Sequence, residues 1–253
     1  MNDIIIPQKL LNREEKRRIR ISSMGKDLMW CWNEIKNPLE VDERLKRVFD
    51  LGQLVEQYLL QNNPDVYNKD LKVHTGLYFE GEEITGEIDC MFKDNGIEYI
   101  CDVKTMSQSS FDKFVQAQDV KESHYQYYVQ LQLYMHFLKV EDGFIWGYNK
   151  NNSEMAKVFV AYDEEFALEQ VERMKKLIIL LESDIEPELE YPNKTIIKTT
   201  KVRNAESYRS EGFAQIRTHK FNRFNPYINL GDNTIIELDN KGQIYSEREP
   251  EWK

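Results

Sequence analysis

The segment Ile84–Lys104, ITGEIDCMFKDNGIEYICDVK, decides how the chain folds. Two β-strand patterns, Ile84 to Phe92 and Ile97 to Thr105, flank Lys93-Asp94-Asn95-Gly96. Asn-Gly is a strong hairpin signal because both residues tolerate positive φ. Side chains alternate across a strand, so faces can be assigned. Glu87, Asp89 and Met91 share one face of the first strand; Ile100, Asp102 and Lys104 share one face of the second. Asp102 and Lys104 therefore point the same way, and hairpin pairing can bring Asp89 near them. Carboxylates and an ammonium within otherwise apolar strands build a poor core. They can hold a divalent metal beside a reacting phosphate.

Outward from this hairpin, the pattern alternates helices and strands. Asp42 to Leu60 has helical apolar spacing and carries Glu56, next to the apolar stripe. An exposed helix glutamate is the ordinary reading of such a residue. Asn62-Asn63-Pro64-Asp65 breaks the helix, and Leu71 to Phe79 reads as a strand with His74 inside it, leading through a turn at Gly81 into the hairpin. Ser22 or Ser23 is the expected N-cap of an earlier helix ended by Pro38. Beyond the hairpin, Thr105 to Ser110 is a polar loop leaving the C-terminal end of a strand, a common ligand position in α/β sheets. Phe111 to Val120 suggests a short helix, and Glu122 to Lys139 a long one with Tyr127, Gln130, Tyr134 and Phe137 at three- and four-residue steps. Taken alone, that stripe reads as core tyrosines with solvated glutamines. Gly143 to Tyr148 and Ala156 to Ala161 extend the sheet, and Asp163 caps an amphipathic helix to Glu182.

The expected architecture is α/β (α+β): a central mixed sheet flanked by helices over residues 1–190, then a basic C-terminal appendage with some β structure over 191–253. Pro187 and Pro192 mark the boundary. Strand-like segments at Asn225 to Leu230 and Asn233 to Leu238 follow, with turns at Gly231-Asp232 and Asn240-Lys241-Gly242.

Composition limits the functional classes. The 253 residues are 41% hydrophobic, with 14 tyrosines and 12 phenylalanines, which is enough for a substantial core and argues against disorder. No apolar run has transmembrane length, and the N-terminus lacks the order of a signal peptide. Cys31, Cys90 and Cys101 have no C-x-x-C spacing, which argues against structural zinc and for a reducing, cytosolic setting. The net charge of -10 hides segregation. Lys194, Lys198, Lys201, Arg203, Arg209, Arg217, Lys220 and Arg223 crowd one stretch, consistent either with a solvated basic face or with phosphate binding.

The order helix with Glu56, strand with Asp89, strand with Asp102-Val103-Lys104, and helix with Gln130-Leu131-Gln132-Leu133-Tyr134 resembles the PD-(D/E)xK nuclease superfamily. It is most similar to the RecB-like and phage lambda-exonuclease-like branch, with its Q-x-x-x-Y helix. The resemblance covers roughly Ser22 to Glu182. Ile88 stands where the family name has proline, and Glu56 where many RecB-like members have histidine.

The resemblance implies a restriction-endonuclease-like core and metal-dependent hydrolysis of DNA phosphodiesters. An exonuclease of phage-type recombination or repair is the leading form; a structure- or sequence-specific endonuclease and a catalytically silent DNA- or partner-binding module are the alternatives. It implies Asp89 and Asp102 as metal-ligand carboxylates, the Val103 carbonyl as a further ligand, and Glu56 completing the shell. Lys104 would position water or stabilise charge, and Gln130 and Tyr134 would buttress the site or touch the DNA backbone. Glu87 is a reserve ligand. Mg²⁺ is the expected cofactor, with Mn²⁺ substituting. DNA is the expected partner, with a single-strand annealing protein and homo-oligomers as further partners, no membrane, and a bacterial host cytoplasm if phage-encoded.

Overall fold

In the computed structural model, residues 18–38 and 43–188 are described in full, and the backbone alone at 193–202, 205–217, 220–221, 232–238 and 244–248. The chain divides into two compact units. One runs to Glu186, except for Asp27–Asn33, which fall with the second; that second unit takes up again at Pro187.

A 3₁₀ turn at Ile21–Ser23 in the first unit precedes helix α1, Leu28–Lys36, whose residues through Asn33 fall with the second unit. The expected serine cap is corrected here. Ser22 and Ser23 lie inside the 3₁₀ turn, and the amide of Met29 is taken by the Asp27 carboxylate at 2.9 Å. Helix α2, Glu43–Gln61, ends where Asn63 and Pro64 cannot continue it. Strand β1, Val66–Tyr67, is short, and sequence periodicity gave no sign of it. Strands β2, Leu71–Phe79, and β3, Glu82–Ile88, turn at Glu80 and Gly81, both at positive φ. Strand β4, Cys90–Asp94, and β5, Ile97–Met106, turn at Asn95 and Gly96, with φ of 49° and 85°.

The first hairpin strand is therefore not continuous. It is interrupted at Asp89, and its two halves serve different sheets. β2 and β3 form a two-stranded ribbon of their own, while the main sheet runs β1-β4-β5-β6-β7. Strand alternation alone cannot detect such an interruption, because Ile88 and Cys90 are both fully buried on either side of it.

After β5 come helices α3, Gln108–Ala117, α4, Val120–Ser123, and α5, Tyr125–Leu138. They form the crossover to β6, Asp142–Asn149, which lies parallel to β5; a parallel neighbour requires such a connection. The single short helix expected from Phe111 to Val120 is two, because Gln118 adopts a left-handed conformation and Asp119 caps the next turn by accepting from the Glu122 amide. β7, Met155–Ala161, closes the sheet edge antiparallel to β6. Asp163 then caps α6, Glu164–Glu182, accepting from the Phe166 amide at 3.1 Å, as its sequence position implies. The fold is thus mixed α/β, with a five-stranded mixed sheet flanked by helices.

The two faces of β5 meet different helices. Cys101 and Val103 join Cys90, Phe92, Phe144 and Trp146 against Leu59 and Leu60 of α2. Burying each large apolar side chain there contributes roughly 1.5–3 kcal/mol. The opposite face carries Ile100, Asp102 and Lys104. There Leu131 of α5 comes so close to Gly143 that a Cβ at that glycine would lie 3.2 Å from it. A sheet covered on both sides accounts for the near-continuous burial of β6.

Among the described residues the second unit holds five strands: β8, Asn193–Val202; β9, Ala205–Arg217; β10, Lys220–Phe221; β11, Asp232–Leu238; and β12, Ile244–Arg248. Their order is β10-β9-β8-β11-β12, with β8 and β11 parallel and the other neighbours antiparallel. The strand read at Asn225 to Leu230 and the turn at Asn240-Lys241-Gly242 lie outside the described residues.

Candidate active site

Asp89 sits at the joint between ribbon and sheet, and its carboxylate is fastened across the hairpin. The Val103 amide donates to Asp89 Oδ2 at 2.6 Å. This anchor fixes the side chain beside β5 although the residue itself belongs to neither strand. Asp102, on β5, is 1% exposed. Its Oδ1 accepts from Gln130 Nε2 at 3.0 Å, and the same Gln130 nitrogen lies 3.2 Å from the Tyr134 hydroxyl. Gln130 and Tyr134 are one helical turn apart on α5, which aims both at one point.

Lys104 Nζ lies 2.6 Å from Asp102 Oδ2, so the two-residue spacing on β5 does bring acid and amine together. That oxygen is buried yet accepts no hydrogen bond of ordinary geometry, so its link to Lys104 is an ion pair rather than an aligned hydrogen bond. The ammonium also stands 5.4 Å from the centroid of the Tyr127 ring.

The electrostatics are those of a charged cluster around one buried carboxylate, Asp102, with Asp89 and Lys104 half-buried beside it. Burial pushes the Asp89 carboxyl well above its usual range; Asp102 and Glu56 push the same way, and Lys104 and the Val103 amide oppose them. Burial alone would lower the Lys104 pKa, but Asp102 and Asp89 more than reverse this, and the net shift is upward. Lys104 stays protonated throughout the physiological range. Burial and Asp102 also push the Tyr134 phenol up to about 12.

Each site residue expected from sequence can now be located. Asp89, Asp102, Lys104, Gln130 and Tyr134 come together. Val103 contributes its amide to Asp89 and its side chain to the α2 face. Glu56 reaches the cluster from α2 through its charge on Asp89. Gln130 and Gln132 are buried at 7% and 0% exposure, so the solvated-glutamine reading of α5 is corrected. Gln132 instead donates to the Ala161 carbonyl and accepts from the Asp163 amide, tying α5 to the β7–α6 connection. Glu87 is exposed on β3. His74 pairs with Glu83 across the ribbon at 2.8 Å, which accounts for it structurally.

Two contributors were not assigned from sequence. Tyr127 was visible only as one member of an aromatic stripe. Gly86, on β3, faces Tyr134 so closely that a Cβ there would lie 2.6 Å from the ring and 2.8 Å from Ile21. Its lack of a side chain is what seats the tyrosine.

The donor set suits a hard cation. It offers carboxylate oxygens, one of them buried and without a hydrogen bond. Among the described residues no group of three His, Cys, Asp or Glu side chains is arranged to hold a metal ion. Mg²⁺ commonly uses one or two carboxylates together with substrate phosphates, so a two-aspartate site with Glu56 nearby fits it.

No family model matches the chain, and no curated protein matches it. Among solved structures it is similar to the alkaline exonuclease LHK-Exo of Laribacter hongkongensis, at 10% identity, over 67% of this chain and 90% of that one, with a TM-score of 0.48. The same enzyme in complex with dAMP gives 11% identity, coverage of 67% and 90%, and a TM-score of 0.49. A phage related exonuclease from Haemophilus somnus 129PT gives 14%, 66% and 94%, and 0.47. At these identities and TM-scores the likeness carries no weight for activity. Among the described residues no helix is long and apolar enough to cross a membrane.

Proposed function

We propose that the protein is a metal-dependent deoxyribonuclease that hydrolyses phosphodiester bonds, most simply as an exonuclease on linear DNA. The observation that carries this reading is the meeting of Asp89 and Lys104, both half-buried, at the buried Asp102, with Gln130 fixing one Asp102 oxygen.

Asp89, Asp102 and the Val103 carbonyl would hold the cation, with Glu56 completing the shell. When bound, Mg²⁺, or Mn²⁺ in its place, would supply an acidified water and neutralise charge on the phosphate. The chain's own residues do the rest. Lys104 is held protonated and cannot accept a proton, so it serves as a fixed positive charge for the phosphate oxygens rather than as a base. Gln130 orients Asp102, and Tyr134, un-ionised at neutral pH, supports Gln130.

The test is incubation of end-labelled linear and closed circular duplex DNA with Mg²⁺ or EDTA. Wild type should release nucleotides from the linear form with Mg²⁺ only, and Lys104→Ala should lose roughly 10²–10³-fold in rate. Cutting of the closed circle would instead favour an endonuclease. A second reading, a module that binds DNA without cutting it, is favoured by the lack of a preformed three-ligand group among the described residues. DNA binding with no metal-dependent product from either substrate would select it.

A further inference from the structure

The Lys104 ammonium is steered by more than its ion pair. The Tyr127 ring beneath it lies parallel to the His124 imidazole, with 4° between planes and 5.2 Å between centroids. His124 is itself held from two further sides. Its Nε2 lies 2.7 Å from Ser110 Oγ, and its ring meets Phe114 edge-on at 5.8 Å. Phe114 is fully buried and seated on Gly147 of β6, where a Cβ would lie 2.9 Å from its ring. Gly147 is the register partner of Lys104 across the parallel β5–β6 pair. The contacts therefore close on themselves, from Lys104 through Tyr127, His124 and Phe114 back to the strand position beside Lys104.

We propose that His124 is a positioning residue for Lys104, acting through the Tyr127 ring. This rests on the reading of Lys104 as the cation that meets the phosphate. The imidazole is suited to the role because it carries no charge at neutral pH. Burial first, and the charge of Lys113 second, bring its pKa down to about 4. A base that weak does not activate the Ser110 hydroxyl, so the short Ser110 contact serves to orient the ring. Nδ1 is buried and without a hydrogen-bond partner, so Ser110 is what fixes the imidazole by hydrogen bonding.

The experiment pairs a spectroscopic readout with kinetics. The ε-methylene NMR signal of Lys104, assigned by its loss in Lys104→Arg, should be displaced upfield by the Tyr127 ring in wild type. His124→Ala should move it toward ordinary lysine values, and His124→Phe, which keeps an aromatic face against Tyr127, should restore it. With Mg²⁺ and linear DNA, His124→Ala should lower kcat by roughly 10²-fold at unchanged KM, the scale of a small misplacement of a reacting group. His124→Phe should recover most of that loss. An unmoved Lys104 signal in His124→Ala, or a full kcat in a folded His124→Ala protein, overturns the proposal. If His124→Ala does not fold, His124→Leu, which keeps the bulk but has no ring, decides: a shift of the Lys104 signal in the same direction supports the proposal, and none overturns it. A wild type that cuts no DNA defeats the nuclease reading alone, because the NMR series still reports whether His124 positions Lys104.

Discussion

Burial holds the Asp89 carboxyl above its ordinary range, and the neighbouring charges of Asp102 and Glu56 add to this. The folded chain therefore binds a proton at Asp89 that the unfolded chain releases at lower pH. By linkage, stability is fully present below the unfolded pKa and is lost as pH rises through the raised folded value. Metal-free wild type should accordingly lose stability as pH climbs above the ordinary carboxylate range, and Asp89→Asn should flatten that dependence. Thermal melts in EDTA across a pH series check both. Gly86 makes a second prediction at this scale. Gly86→Ala forces a methyl group into the Tyr134 ring and Ile21, which should cost about 1–3 kcal/mol in urea unfolding, the ordinary penalty for overfilling a packed site.

At the scale of elements, most of the geometry of the candidate site is legible in the sequence. The Asn95-Gly96 turn fixes the β4–β5 register, and that register puts Cys90 opposite Cys101 and Met91 opposite Ile100. Asp102 and Lys104 then fall on one face through period-two alternation alone. Gln130 and Tyr134 follow from helical spacing. What remained hidden was hidden for physical reasons. The interruption at Asp89 leaves no trace in hydrophobic alternation, since buried residues flank it. Strand β1 has two residues, too few to show a period. The contacts joining Ser110, His124 and Tyr127 depend on how α3, α4 and α5 stack, and residues 14 and 17 positions apart in sequence reveal no such meeting. Sequence alone reads the buried glutamines as solvated, because an amide looks solvent-seeking until its partners are known. Gln132 finds a carbonyl and an amide at the far edge of the same unit.

At the scale of the molecule, the chain carries a net charge of -10 while its proposed substrate is a polyanion. Binding then depends on local cations, and the lysines and arginines between Lys194 and Arg223 are one concentrated supply. Affinity for duplex DNA measured without added metal should fall steeply between low and moderate salt. A flat salt response would mean that this stretch does not contact phosphates. Cation binding should also register on the whole fold. Mg²⁺ at about a hundred times its Kd should stabilise the protein by roughly 2.7 kcal/mol, and Asp102→Asn should lose most of that gain in the same thermal melt. Cys31, Cys90 and Cys101 are buried and form no disulfide, so reductant should leave the melting temperature where it is.

The joint at Asp89 also sets where the chain can tolerate change. The ribbon beyond it ends in a turn at Glu80 and Gly81 whose glycine has open space around it. Residues added or trimmed in matched pairs at that tip leave the carboxylate untouched, because its tether runs to Val103 and not to the ribbon. A single residue inserted between Ile88 and Cys90 would swing the carboxylate away from that tether. Permissiveness to insertion should therefore drop sharply at the two peptide bonds flanking Asp89, and a scan of short insertions from residue 78 to residue 92 would trace that edge.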